Sequence, residues 1–136
     1  MNKGKEAQKE IIDKANYSYS NLLKSLILFA ASSEYLESLN SPSFNVVFEL
    51  ETEFDIGFNE LSLNSIFDKK LINRELKNEL SSFKAKVIGF PNELWMWKNI
   101  KNHIKWNELR TDANILLDKM EISNREYIDD SIIIEF

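Results

Sequence analysis

The sequence predicts an all-α fold: a single domain over 1–136, a bundle of about four to six helices with an Ile-rich C-terminal tail, 123–136, that has the propensity to be extended. Three observations predict it. Only three Gly and two Pro punctuate 136 residues, too few for a many-stranded β fold. Apolar residues recur at three- and four-residue steps over most of the chain. Nine Phe, four Tyr and three Trp, within a hydrophobic share of 43 %, supply large pieces for one core.

Taken in order, residues 5–39 read as helix. Ile11, Ala15, Leu22, Leu26, Phe29, Ser33 and Leu36 share one face, and the weak helix formers Asn16–Ser20 mark the place for a bend or break. Asn40-Ser41-Pro42-Ser43 ends the segment, with Ser41 a candidate cap and Pro42 a candidate first helical residue. Residues 42–56 carry two periods. Phe48, Leu50, Phe54 and Ile56 alternate with Glu49, Glu51, Glu53 and Asp55 as a strand would, whereas Val47, Leu50, Phe54, Phe58 and Leu61 step as a helix would. The start signal tips the segment to helix. The strand alternative is an α+β fold with a short sheet from 44–56, 83–90 and 127–136.

Beyond this, 65–71 reads as a short helix or turn. Asn73 can cap a helix over 74–87 that buries Leu76, Leu80, Phe83 and Val87. Gly89-Phe90-Pro91-Asn92 is a break, with Asn92 a candidate cap for a short helix carrying Leu94, Trp95 and Trp97. The last helix, about 102–120, buries Ile104 or Trp106, then Leu109, Ala113, Leu116, Leu117 and Met120. Trp95 and Trp106 are expected in the core. Arg110, one turn from Trp106, is expected to stack on that ring or pair with an acid.

Composition excludes several function classes. Without cysteine there is no disulfide scaffold, thiol nucleophile or thiolate zinc site. The single histidine, His103, lies in a polar stretch and is expected to be solvated or capping. Three glycines cannot build a phosphate-binding loop, and no Gly-x-Ser-x-Gly elbow is present. No catalytic residue, metal ligand or cofactor is therefore assigned, and the chain is read as a non-enzyme. Residues 1–14 lack the apolar run of a signal peptide, and the longest apolar stretch, Leu26 to Ala31, is far short of the about 20 residues that span a membrane. The expectation is a cytoplasmic protein with no membrane partner.

Charge is unevenly laid out within a net −5. Residues 25–68 hold eight acids and no Lys or Arg, whereas 69–110 hold ten bases and four acids. The acidic block either pairs internally, with Lys69, Lys70, Arg74 and Lys77, or is offered to a basic partner. Glu49, Glu51, Glu53, Asp55 and Glu60 are the candidate partner-binding residues, with Glu49, Glu53 and Glu60 on one outward face. Overall acidity argues against nucleic acid.

The stretch Ile88-Gly89-Phe90-Pro91-Asn92-Glu93-Leu94-Trp95, followed by Trp106-Asn107-Glu108-Leu109-Arg110 and Ala113-Asn114-Ile115-Leu116-Leu117-Asp118-Lys119-Met120, resembles the C-terminal pattern of helical immunity proteins from bacterial contact-dependent growth inhibition and other polymorphic toxin systems. Glu49-Leu50 to Phe54 is similar to an acidic helix in the same kind of protein. The resemblance covers roughly 20–122 and is distinctive in its last third. It implies a stoichiometric inhibitor of a cognate toxin domain, often a nuclease with a basic groove. The residues by themselves leave open another protein-binding adaptor or regulatory domain, and a small enzyme.

Overall fold

The computed structural model describes residues 3–127, with side chains from Lys14 onward. The described chain is seven α-helices joined by tight turns and two 3-10 turns: α1 Lys3–Ala30, α2 Ser33–Leu39, α3 Val46–Gly57, α4 Glu60–Asp68, α5 Lys77–Ile88, α6 Trp97–Asn102 and α7 Ile104–Lys119. The 3-10 turns, Arg74–Leu76 and Asn92–Trp95, lead into α5 and α6. The fold is all-α, with more helices than the sequence suggests. Residues 44–56 and 83–90 contribute no strand, and the only β-type pairing among the described residues is an isolated bridge between Ser41 and Phe44. Of the Ile-rich tail, 128–136 lies outside the described residues.

α1 is the hub, about 42 Å long at 1.5 Å per residue, and α3, α4 and α7 all pack against it. No break falls at Asn16–Ser20: Ala15 and Ser20 to Phe29 are buried, and packing outweighs weak intrinsic propensity. The break falls instead at Ala31-Ser32, where the Ser32 hydroxyl accepts the Tyr35 N–H (3.1 Å) and starts α2.

Pro42 does not open a helix. Ser41 and Phe44 exchange both backbone hydrogen bonds (3.0 and 3.1 Å) around a turn in which Pro42 and Ser43 are central, a position that the fixed φ of proline also suits. Asn45 is the true cap of α3, accepting the Phe48 N–H at 3.1 Å. Asn59, Asn73 and His103 do the same for α4, the turn before α5, and α7. Asn92 makes no cap; Pro91 occupies that position.

The helical reading of α3 holds, but its buried face is rotated. Val46, Leu50, Glu53, Phe54 and Gly57 face inward; Val47 is half-buried, and Leu61, beyond the helix end, is 84 % exposed. Gly57 sets this rotation. A Cβ there would lie 2.8 Å from the Asn21 carbonyl oxygen and 3.1 Å from the Ser25 Cβ, so α1 and α3 touch backbone to backbone.

The core centres on linked aromatic rings. Phe29 meets Phe54 (6.0 Å between centroids), Phe83 (5.4 Å) and Trp106 (5.8 Å, stacked), joining α1 to α3, α5 and α7. Phe58 extends the cluster through Phe54 and Phe83, while Phe90 and Trp95 extend it through Trp106. The α5 face of Leu80, Phe83 and Val87, with Leu76 just before it, is buried as expected, and so are Leu109, Ala113, Leu116 and Leu117 of α7. Between the alternatives at the start of α7, Trp106 is buried and Ile104 is 67 % exposed.

Two helices end in the same way. After α4, the Leu71 N–H bonds the Ile66 carbonyl and the Lys70 N–H bonds the Phe67 carbonyl; after α7, Ile122 and Glu121 repeat the pattern on Leu117 and Asp118. Both motifs need a left-handed residue, here Lys70 (φ 58°) and Glu121 (φ 61°), although glycine is the usual occupant.

Gly57→Ala is expected to destabilise by about 1–2 kcal/mol, since overpacking at the α1–α3 contact outweighs the gain in helix propensity. Lys70→Gly is expected to stabilise by about 0.5–1 kcal/mol through relief of the left-handed backbone. Urea denaturation of both variants reads the opposite signs directly.

Candidate functional site

The residues that looked most chemical in the sequence turn out to be scaffold. His103 caps α7, its Nδ1 accepting the Lys105 N–H at 3.1 Å. Trp106 is 1 % exposed and donates its indole N–H to the Leu94 carbonyl (2.6 Å), pinning the 3-10 turn over the core. Trp95, half-buried, sits edge-on to Trp106. Among the described residues no group of three or more His, Cys, Asp or Glu is placed to hold a metal ion. No helix of the described residues is long and apolar enough to cross a membrane.

Arg110 is also scaffold, but not through the partners expected of it. Its Nε donates to the Ala31 carbonyl (3.1 Å), one terminal nitrogen donates to the Ile100 carbonyl, and the other to Asn107 Oδ1 (2.7 Å). No stacking on Trp106 and no ion pair of Arg110 occurs among the described residues. Instead one guanidinium serves the carbonyl ends of α1 and α6, where helix dipoles favour a cation and α1 carries no basic residue in its last turn. Burial lowers its pKa from the ordinary value while the nearby Glu34 carboxylate opposes the shift, and a guanidinium stays charged regardless. Asn114, one turn on, donates to the Ala30 carbonyl (3.1 Å) and accepts from Arg125 (2.7 Å). Arg125 also binds Asp118 (2.5 Å) and so fixes the chain after α7. Further along, Tyr127 is buried against Phe44; its N–H donates to the Tyr35 hydroxyl (3.0 Å) and its hydroxyl donates to Glu53 (3.4 Å).

This last contact corrects the acidic face. Glu53 does not project outward with Glu49 and Glu60: it is 2 % exposed, on the inward side of α3. Because the Gly57 contact rotates the helix, Glu49 becomes half-buried, and Glu51 and Asp55, expected on the flank, point to solvent, together with Glu60 at the start of α4. Among the described residues no ion pair joins Glu51, Asp55 or Glu60 to Lys69, Lys70, Arg74 or Lys77. Among the described residues Glu51, Asp55 and Glu60 make no ion pair, and one pair, Lys101–Glu37 at 3.9 Å, joins the two blocks. Phe48 and Ile56 share this outward face and are exposed. The sequence signal for them was the strand-like alternation with glutamates, which on a helix places Phe48 opposite Leu50, Phe54 and Gly57.

Small pockets of about 170–340 Å³ line the seam between α5 and α7, all touching Lys86. Two ion pairs cross that seam, Lys86–Asp112 and Lys119–Glu79, each at 2.7 Å. With these charges paired, the seam is less suited to recruiting a charged partner than the outward face of α3 and α4.

Comparison of the chain with protein-family models, curated proteins and solved structures finds no match.

Arg110→Ala is expected to lower stability by about 1.5–3 kcal/mol, because charge-assisted bonds to carbonyls of α1 and α6 are lost together. Arg110→Lys is expected to recover only part, since one ammonium cannot replace the planar fork. Thermal melts of the three proteins give the ranking.

Proposed function

We propose that this chain is an immunity protein, a stoichiometric inhibitor that binds a toxin domain with a basic surface and neutralises it in the cytoplasm of the cell that makes both. One observation carries the reading: Glu51, Asp55 and Glu60 stand exposed and without an ion pair among the described residues on the outward face of α3 and α4, in a block of chain that has no Lys or Arg. Like charges at Glu51 and Asp55, one turn apart, cost a few tenths of a kcal/mol in the free protein. A basic partner removes that repulsion, gains charge-assisted hydrogen bonds and is steered into encounter.

The resemblance on α7 supports the same reading in a different way. Trp106, Arg110, Ala113, Leu116 and Leu117 are scaffold: Arg110 ties helix ends together and the others are buried, so the pattern they share with immunity proteins belongs to the scaffold that presents α3. Inhibition by occlusion asks nothing further of the chain than a stable, complementary surface.

Co-expression with the C-terminal domain encoded by the gene immediately upstream tests the proposal. Growth is expected to be restored by the wild-type chain, and killing that continues at equal expression would refute it. Glu51→Lys combined with Asp55→Lys is expected to slow association with that domain and weaken binding by about 2 kcal/mol or more, with an unchanged melting temperature. Glu53→Lys is expected to behave in the opposite order, unfolding the protein rather than altering its surface.

A further inference from the structure

The outward face of α3 is two parallel ridges. Phe48, Thr52 and Ile56, spaced by four, form one; Glu51 and Asp55, also spaced by four, form the other beside it. Phe48 is 61 % exposed, Ile56 41 % and Leu61 84 %. Single exposed apolar side chains are ordinary on a protein surface. Three within fourteen residues, interleaved with the exposed acids Glu51, Asp55 and Glu60, are not a scatter.

The corner between α3 and α4 holds these side chains in fixed relation. Asn59 Nδ2 donates to the Ile56 carbonyl (2.8 Å), and its Oδ1 accepts the Ser62 N–H (2.9 Å). One side chain therefore closes the end of α3 and opens α4, with Ile56 on one side and Leu61 on the other. At the far end, Asn45 caps the Phe48 N–H. The ridge is pre-organised, so a partner that docks on it orders little new structure.

We infer that Phe48, Ile56 and Leu61 are the apolar centre of the docking surface, and that its occupant is an amphipathic basic protein segment, an apolar stripe edged by Lys or Arg. The inference rests on reading the acidic face as a partner surface and adds what supplies the affinity. Desolvated aromatic and aliphatic anchors dominate binding energy, while charges around them set encounter rate and reject wrong partners. Charge complementarity selects the occupant. Glu51, Asp55 and Glu60 border the ridge, and they would repel anionic lipid and nucleic acid. They would also repel a second copy docked through the same face, since it would bring the same three acids opposite.

The test uses the isotope-labelled full chain and three synthetic helices of equal length: Leu/Lys amphipathic, Ser/Lys, and Leu/Glu. The Leu/Lys helix is expected to shift amide signals within 48–61 and to bind about tenfold or more tighter than the Ser/Lys helix. Phe48→Ser with Leu61→Ser is expected to remove that preference while the spectrum of the free protein stays folded. Equal binding of the Ser/Lys helix would overturn the apolar centre, and equal binding of the Leu/Glu helix would overturn the role of the acids. Shifts confined to the α5–α7 seam would overturn the location. Self-association of the wild-type chain that Phe48→Ser abolishes would make a second copy the occupant and overturn the basic one. These outcomes are independent of growth rescue. Failed rescue alongside selective peptide binding would refute the immunity reading alone, whereas full protection by the double variant would refute this inference alone.

Discussion

The packing of α3, α5 and α7 on α1 is arranged around Phe29. Its ring is the point at which α1 meets α3, α5 and α7, through edge contacts to Phe54 and Phe83 and a stacked contact to Trp106. Each of those helices has further burial of its own, and at this ring all three are held to α1 at once. Cavity formation at such a site costs more than the lost area alone, because three elements cannot collapse into one void together. The long, unbroken α1 follows from the same requirement: a bend between residues 16 and 20 would move Leu22, Leu26 and Phe29 off the line along which the other helices pack.

The buried side of α1 is not wholly apolar. Ser20, Asn21, Lys24 and Ser25 are all buried, and Ser25 Oγ has no hydrogen-bond partner among the described residues. The small side chain of Ser25, with Gly57 opposite, lets two backbones approach as closely as they do. Close approach here has displaced the satisfaction of a hydroxyl, a modest penalty exchanged for dispersion contact along two helices.

Much of the fold was legible in the sequence because helix periods, the Asn73 cap and the Gly-Phe-Pro break are local signals. The buried stripes of α5 and α7 could be read residue by residue. What could not be read were the relations set by tertiary contact. The apolar steps Val47–Leu50–Phe54–Phe58–Leu61 describe a plausible helix face. The actual face is chosen by Gly57 against Asn21, a contact that no hydropathy pattern encodes. That rotation moves Glu53 inward and turns Glu51 and Asp55 outward, so the acids of this segment divide between faces differently from the division read in the sequence. Pro42 reads as a helix start in the sequence, whereas its fixed φ suits a β-turn equally well. Arg110 was read from its helical neighbour Trp106, whereas its acceptors, Ala31 and Ile100, come from elsewhere in the chain.

The division of α3 into an inward set (Val46, Leu50, Glu53, Phe54, Gly57) and an outward set (Phe48, Glu51, Asp55, Ile56) separates the residues that hold the helix from those it displays. Substitutions in the second set disturb no ring of the core and no cap. If this face is the partner surface proposed above, a lineage could exchange one recognition pattern for another through a few surface changes, with the scaffold inherited intact. Two such descendants would share nearly the same helices and still ignore each other's partners.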